Sequence, residues 1–158
     1  MKIAKYISAI CLSLLIFSAC ESDLDKVYYN ESEVTPAVLS GIADTYVLDA
    51  NKAQTIAIEF KWTNPQAGYT AQITNSLQMD LKSKNFGKAI TLYSSTEEGP
   101  YDITTLDLNS KIMKLLQSYE MEVTVEPYDF EFRIASSISD AVDSFYSNVE
   151  SAQITPFI

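Results

Sequence analysis

Few residues in this chain could carry chemistry, and the clearest of them is a thiol. There is no histidine, and the two cysteines are Cys11 and Cys20. Cys20 directly follows Leu14-Leu15-Ile16-Phe17-Ser18-Ala19. Upstream lie Lys2, Lys5 and an apolar run from Ile7 to Phe17 broken by Ser8 and Ser13. A positive start, a short apolar core and small residues before a cleavage point make a secretory signal peptide. A cysteine immediately after Ser18-Ala19 completes the pattern of a bacterial lipobox, with Phe17 where leucine is usual. In such a box Cys20 becomes the first mature residue and its sulfur carries a diacylglycerol. The alternatives are an ordinary signal peptide with a coincidental cysteine, or an uncleaved anchor, but the apolar run falls short of the ~20 residues a spanning helix needs. Acyl chains contribute about 0.8 kcal/mol per buried methylene, enough for several of them to hold a soluble domain on a membrane.

The other reactive candidates are weak. With Cys11 in the signal and Cys20 lipidated, no disulfide forms, and histidine-based catalysis, cysteine nucleophiles and zinc sites of the usual ligands are excluded. Glu120, Glu122, Glu126, Asp129 and Glu131 form an acidic run. Glycoside hydrolysis needs two carboxyls ~5–9.5 Å apart across a cleft, which alternation along a solvated strand does not supply. A calcium loop, with alternate acidic residues around a glycine, is absent as well. No catalytic residue, metal site or cofactor is expected. Arg133, the lone arginine, is expected to face out and pair with a carboxylate of that run.

Binding is the remaining chemistry. Tyr69, Tyr93 and Tyr101 fall at loop or outward positions and could stack on a pyranose face, although tyrosine is also common at sheet edges. Trp62, the single tryptophan, would be the natural sugar platform. It is in phase with Ile56, Ile58 and Phe60, which assigns it to the core. The chain carries 11 basic against 21 acidic residues, a net charge of −10, and losing Lys2 and Lys5 with the signal makes it more acidic still. That argues against nucleic acid or anionic head groups and suits neutral ligands such as sugars.

The elements that must position these residues are mostly strands. Residues 1–19 read as signal, 20–34 as a lipidated acidic tether, and 35–158 as one domain. Glu21, Asp23 and Asp25 resemble the surface-export signals of Bacteroidetes lipoproteins, or are simply a hydrated linker. Ala37-Val38-Leu39 and Tyr46-Val47-Leu48 read as a first edge. Ile56 to Trp62 alternates with period two, and so does the stretch placing Ala71, Ile73, Leu77, Met79 and Leu81 inward. On that second stretch Asn75 is the one polar residue on the inward side, with Asp80 outward. Strands follow at residues 89–93, 101–105, 119–125, 130–134 and 149–157. Between them Leu108, Ile112, Leu115 and Leu116 make the apolar stripe of a short helix with Asp107 as its N-cap. About seven short strands and one helix predict an all-β, antiparallel β-sandwich of the immunoglobulin or fibronectin type III sort.

Several strand-borne motifs then occur in a telling order. They are Thr35-Pro36, Ile58-Glu59-Phe60-Lys61-Trp62-Thr63, Leu77-Gln78-Met79-Asp80, Leu108-Asn109, Phe132-Arg133-Ile134-Ala135, Tyr146-Ser147-Asn148 and Ile154-Thr155-Pro156-Phe157. Together with the lipobox they resemble the N-terminal domain of SusE-like lipoproteins, surface-exposed outer-membrane proteins of Bacteroidetes polysaccharide-utilisation systems. The resemblance implies a lipid-anchored, non-catalytic accessory of polysaccharide binding and uptake, with starch-like glycan and outer-membrane transporter components as partners. Such proteins usually continue into carbohydrate-binding modules, whereas this sequence ends at Ile158. The resembling part is therefore a membrane-proximal spacer, and the second expectation is a structural or protein-docking module without glycan binding of its own.

Overall fold

Alternation of apolar and polar residues builds most of the molecule. The computed structural model describes residues 29–158, so Cys20, the signal segment and the first part of the tether lie outside the described residues. The strands are β1 (Leu39–Ser40), β2 (Thr45–Val47), β3 (Ile56–Trp62), β4 (Thr74–Leu81), β5 (Ile90–Ser95) and β6 (Tyr101–Thr104). Helix α1 (Thr105–Ser118) follows, then β7 (Tyr128–Ser137), β8 (Phe145–Tyr146) and β9 (Glu150–Thr155). One sheet has the order β1-β3-β6; the other runs β2-β9-β7-β4-β5, with β8 beside β7. The two-sheet, all-β domain with one helix matches the sequence expectation, with nine strands among the described residues rather than about seven.

The core lies between the sheets. Ile58, Phe60 and Trp62 on β3 meet Leu77 and Met79 on β4 and Phe130, Phe132 and Ile134 on β7. Phe60 and Phe132 touch across the gap with ring centroids 5.3 Å apart and tilted by 51°. Burying one such side chain fully is worth about 1.5–3 kcal/mol. The stripe of Leu108, Ile112, Leu115 and Leu116 buries the inner face of α1 against the same core.

Four local features depart from the sequence reading. The N-cap of α1 is Thr104, whose hydroxyl oxygen accepts from the Asp107 N–H at 3.2 Å and donates to the Asp107 carboxylate at 2.9 Å. Asp107 is thus the first-turn residue that the cap holds, not the cap itself. The stretch 119–125 forms no strand. Glu120, at φ +57°, turns the chain at the helix end, and Met121 N–H reaches the Leu116 carbonyl at 3.0 Å. The backbone beyond is held by a side chain instead, because Tyr128 hydroxyl accepts from Thr124 N–H and donates to the Glu122 carbonyl. The sheet is not wholly antiparallel, since β2 pairs with β9 in parallel rather than extending the β1 edge. Asp80, expected outside, is fully buried at 0 % exposure. The turn at 83–88 folds back over it, and its carboxylate accepts from Leu81 N–H, Lys88 N–H and Tyr119 hydroxyl.

Two β-bulges reset the phase of the alternation. Register on β3 shifts between Ile56 and Ile58, which throws Ile56 outward to 59 % exposure while Ile58 stays in the core. Register between β4 and β5 shifts after Leu77↔Tyr93, with the next pair at Gln78↔Thr91, so Leu92 is the extra residue. A bulge of this kind bends the strand and re-aims its side chains.

Two asparagine side chains tie the ends together. Asn148 accepts from Leu39 N–H at 2.8 Å and donates to the Leu39 carbonyl at 3.0 Å. Asn109 on α1 does the same with Phe157, both contacts at 3.0 Å. Each amide mimics a short strand, satisfying a backbone donor and acceptor the sheets do not reach.

Candidate functional site

The bulge at Leu92 decides where Tyr93 points. It pairs with Leu77, a core residue, so Tyr93 lies on the side facing the other sheet and not on the outer face expected for it. Tyr101 is carried by β6, an edge of the other sheet, opposite Phe60. The two rings stack with centroids 4.3 Å apart and 9° between their planes, so the pair bridges the edge strands β5 and β6. Tyr93 remains 39 % exposed. Burial holds the Tyr101 hydroxyl above its ordinary pKa, with Asp107 and Tyr93 adding to the effect.

Trp62 sits behind this pair, 6.3 Å from the Tyr93 ring and only 5 % exposed. It is a core residue, as its phase indicated. Its indole N–H donates to the Glu97 carbonyl at 3.3 Å. Gly99 lies so close that a Cβ there would come within 3.1 Å of the indole. Trp62 therefore holds the β5–β6 connection in place rather than offering a stacking face.

Tyr69 is separate from the other two tyrosines. It lies half-buried in the β3–β4 connection, where Pro65, Gly68, Tyr69 and Thr70 border a depression of about 380 Å³. A second depression of about 330 Å³ adjoins it through Pro65, Ala71 and Ile73. Its other walls are Asn64, Gln72, Thr96 and Glu97, and Asn75 also lines it. Volumes in the range ~300–1,000 Å³ are those of small-molecule sites. Sequence reasoning singled out Asn75 as the inward polar residue of its strand but did not connect it with a cleft. The usable signal was the density of amide and hydroxyl side chains flanking that residue.

Arg133 makes no carboxylate pair among the described residues. Its guanidinium lies between the rings of Phe86, 4.0 Å away, and Tyr146, 3.8 Å away, and its Nε–H donates to Gln78 Oε1 at 2.8 Å. This aromatic bracket replaces the expected ion pair. Glu120, Glu122, Glu126 and Asp129 are exposed on the turn and at the start of β7, with Glu131 half-buried. Among the described residues no cluster of histidine, cysteine, aspartate or glutamate could hold a metal ion. No described helix is long and apolar enough to cross a membrane.

A β-sandwich with two adjoining depressions lined, apart from Glu97, by uncharged polar and apolar groups defines a class: a domain equipped for binding or docking. The model of the SusE outer membrane protein family matches residues 22–135, and the chain belongs to that family. The match runs from the tether into β7. No curated protein and no solved structure matches the chain. Membership makes this an outer membrane protein of the polysaccharide-utilisation type and associates it with components of such systems.

Proposed function

We propose that the protein is a lipid-anchored, non-catalytic accessory of glycan binding and uptake, displayed on the cell surface through Cys20. Family membership supports the reading, and so does the lipobox pattern of the sequence. The observation that carries it furthest is Tyr69 at the border of adjoining depressions lined by amides and hydroxyls without a basic residue, with the stacked Tyr93–Tyr101 pair as a separate aromatic surface. Rings there can cover the apolar face of a sugar while neighbouring amides meet its hydroxyls.

The test is affinity electrophoresis of the mature protein through gels containing soluble polysaccharides. Retardation by one neutral polysaccharide, reduced in Tyr69→Ala, Tyr93→Ala or Tyr101→Ala, is the expected result. Migration unaffected by every polysaccharide overturns the reading. Cys20→Ala is expected to abolish palmitate labelling and release the protein from the membrane fraction, and protease shaving of intact cells is expected to degrade the wild type.

One observation favours a second reading, in which the domain is a spacer or docks a partner of a transport complex. Tyr93 and Tyr101 cover each other's facing surfaces, so they also serve simply to close the gap between β5 and β6. Both of these strands are sheet edges, and an edge accepts an added strand.

A further inference from the structure

The least satisfied polar group in the described molecule sits at the cleft between the β3–β4 and β5–β6 connections. Asn75 is 1 % exposed, on the core side of β4 between Ser95 and Ser136. Its side-chain oxygen accepts from Ser136 hydroxyl at 2.8 Å. Its Nδ2 has no partner, the only buried side-chain nitrogen or oxygen among the described residues in that condition. Burial strips such a donor of water, and native structures rarely leave one unpaired without a reason. A leucine or valine would fill an inward strand position more favourably. Here a half-paired asparagine instead borders a cavity.

Both rims of that cavity are fixed before anything binds. The β3–β4 connection is pinned by reciprocal backbone bonds between Thr35 and Gln66, at 2.8 and 2.9 Å. Gly68, at φ +80°, lies against Glu33, where a Cβ would come within 2.7 Å of that side chain. The opposite rim is held by the Trp62 indole on Glu97 carbonyl and by Ser95 Oγ, which accepts from Glu97 N–H at 3.0 Å. A site with preset walls loses less freedom on binding.

The lining selects the ligand. Glu97 is the one charged side chain around either depression; its carboxylate accepts from hydroxyls and repels anions. Pro65, Ala71 and Ile73 form an apolar ledge common to both depressions, with Tyr69 at the far end. We infer that Asn75 is a ligand-binding residue whose Nδ2 donates to a hydroxyl of an uncharged, polyhydroxylated chain, with two adjoining sugar units in the two depressions. This rests on the glycan reading above and moves its principal contact from the Tyr93–Tyr101 pair to the cleft.

The experiment is an NMR titration of full-length protein in detergent micelles, ¹⁵N-labelled, with neutral hexasaccharides of glucose, xylose and mannose and with a hexauronate. The expected result is a saturable shift of the Asn75 side-chain amide with one neutral oligosaccharide and none with the hexauronate. Tyr69→Ala and Gln72→Ala, both at the surface of the cleft, are expected to raise Kd about tenfold each. Binding that leaves the Asn75 amide unmoved, and that weakens in Tyr93→Ala but not in Tyr69→Ala or Gln72→Ala, overturns this inference and leaves the glycan reading standing. A hexauronate bound as tightly as the neutral chains overturns the charge argument. Absence of binding by every oligosaccharide overturns both readings together.

Discussion

Asn109 and Asn75 are both buried amides in this domain, and they are used in opposite ways. Asn109 spends both ends of its side chain on the Phe157 backbone and so closes the C-terminal segment onto helix α1. Asn75 spends its oxygen on Ser136 and leaves its nitrogen unpaired beside a cavity. A fully paired buried amide contributes to stability, whereas a half-paired one forfeits desolvation energy without return. The contrast separates the part of the molecule that maintains the fold from the part free to meet a ligand.

The largest effect should come from the satisfied region. Asn109→Ala removes two hydrogen bonds and leaves the part-buried backbone N–H and carbonyl of Phe157 unpaired. It is expected to lower unfolding free energy by about 2–4 kcal/mol in urea titrations, since each orphaned group costs about 1–3 kcal/mol. A loss below about 1 kcal/mol would erase the contrast with Asn75.

Next comes the buried carboxylate of Asp80. Tyr119 hydroxyl donates to it, 2.9 Å from Oδ1 and 3.0 Å from Oδ2, while Lys88 and Lys84 ammonium groups lie 4.9 and 5.5 Å from the Tyr119 ring. Tyr119→Phe deletes a hydrogen bond to a charged group and should cost about 1.5–3 kcal/mol. Burial, with the Asp80 contact adding to it, holds the Tyr119 phenol above its ordinary value of 10.0. The folded state therefore retains this proton more tightly than the unfolded chain. The associated stability is complete below pH about 10 and is lost as pH rises through the raised folded value. Thermal melts between pH 9 and 11 should fall more steeply for the wild type than for Tyr119→Phe.

A smaller change is expected at the ring pair. Tyr93→Ala removes the stack on Tyr101, worth about 0.5–1.5 kcal/mol beyond area burial. Its stability loss, set beside its effect on polysaccharide retardation, decides whether the pair bridges the sheets, binds glycan or does both. The smallest effect belongs to the outer face of β3, where Lys61 pairs with Glu59 in the one ion pair among the described residues. Its raised pKa comes first from the hydrogen bond to Glu59, then from that residue's charge, with Asp102 adding a little. The pair is solvent-exposed and screened, so Lys61→Ala should leave Tm unchanged.

Much of the framework was legible in the sequence because period two and period 3.6 are direct imprints of burial. The inward residues of β3, β4 and β7, the core position of Trp62 and the stripe of α1 all followed from spacing. What spacing missed were its own interruptions. One extra residue near Ala57 reversed Ile56, and another at Leu92 brought Tyr93 inward; two adjacent large apolar residues, Leu92-Tyr93, were the available sign. Burial of Asp80 was invisible because it depends on a turn and a helix end arriving from elsewhere in the chain. Arg133 escaped for the same reason, since Phe86 and Tyr146, which bracket it, are both distant in sequence. The cleft was half-legible: Asn75 stood out against its strand, but the loops that wall it meet only in the fold.

The most direct measurement pairs stability with binding in the double variant Asn75→Leu/Ser136→Ala, which replaces both partners of the buried bond with apolar groups. Replacing both members of such a pair is close to neutral or stabilising when neither is needed for the fold. Tm equal to or above that of the wild type, together with loss of oligosaccharide binding, is the result this account predicts. A clear drop in Tm with oligosaccharide affinity intact would contradict it, and would return Asn75 to the structural role that Asn109 plays.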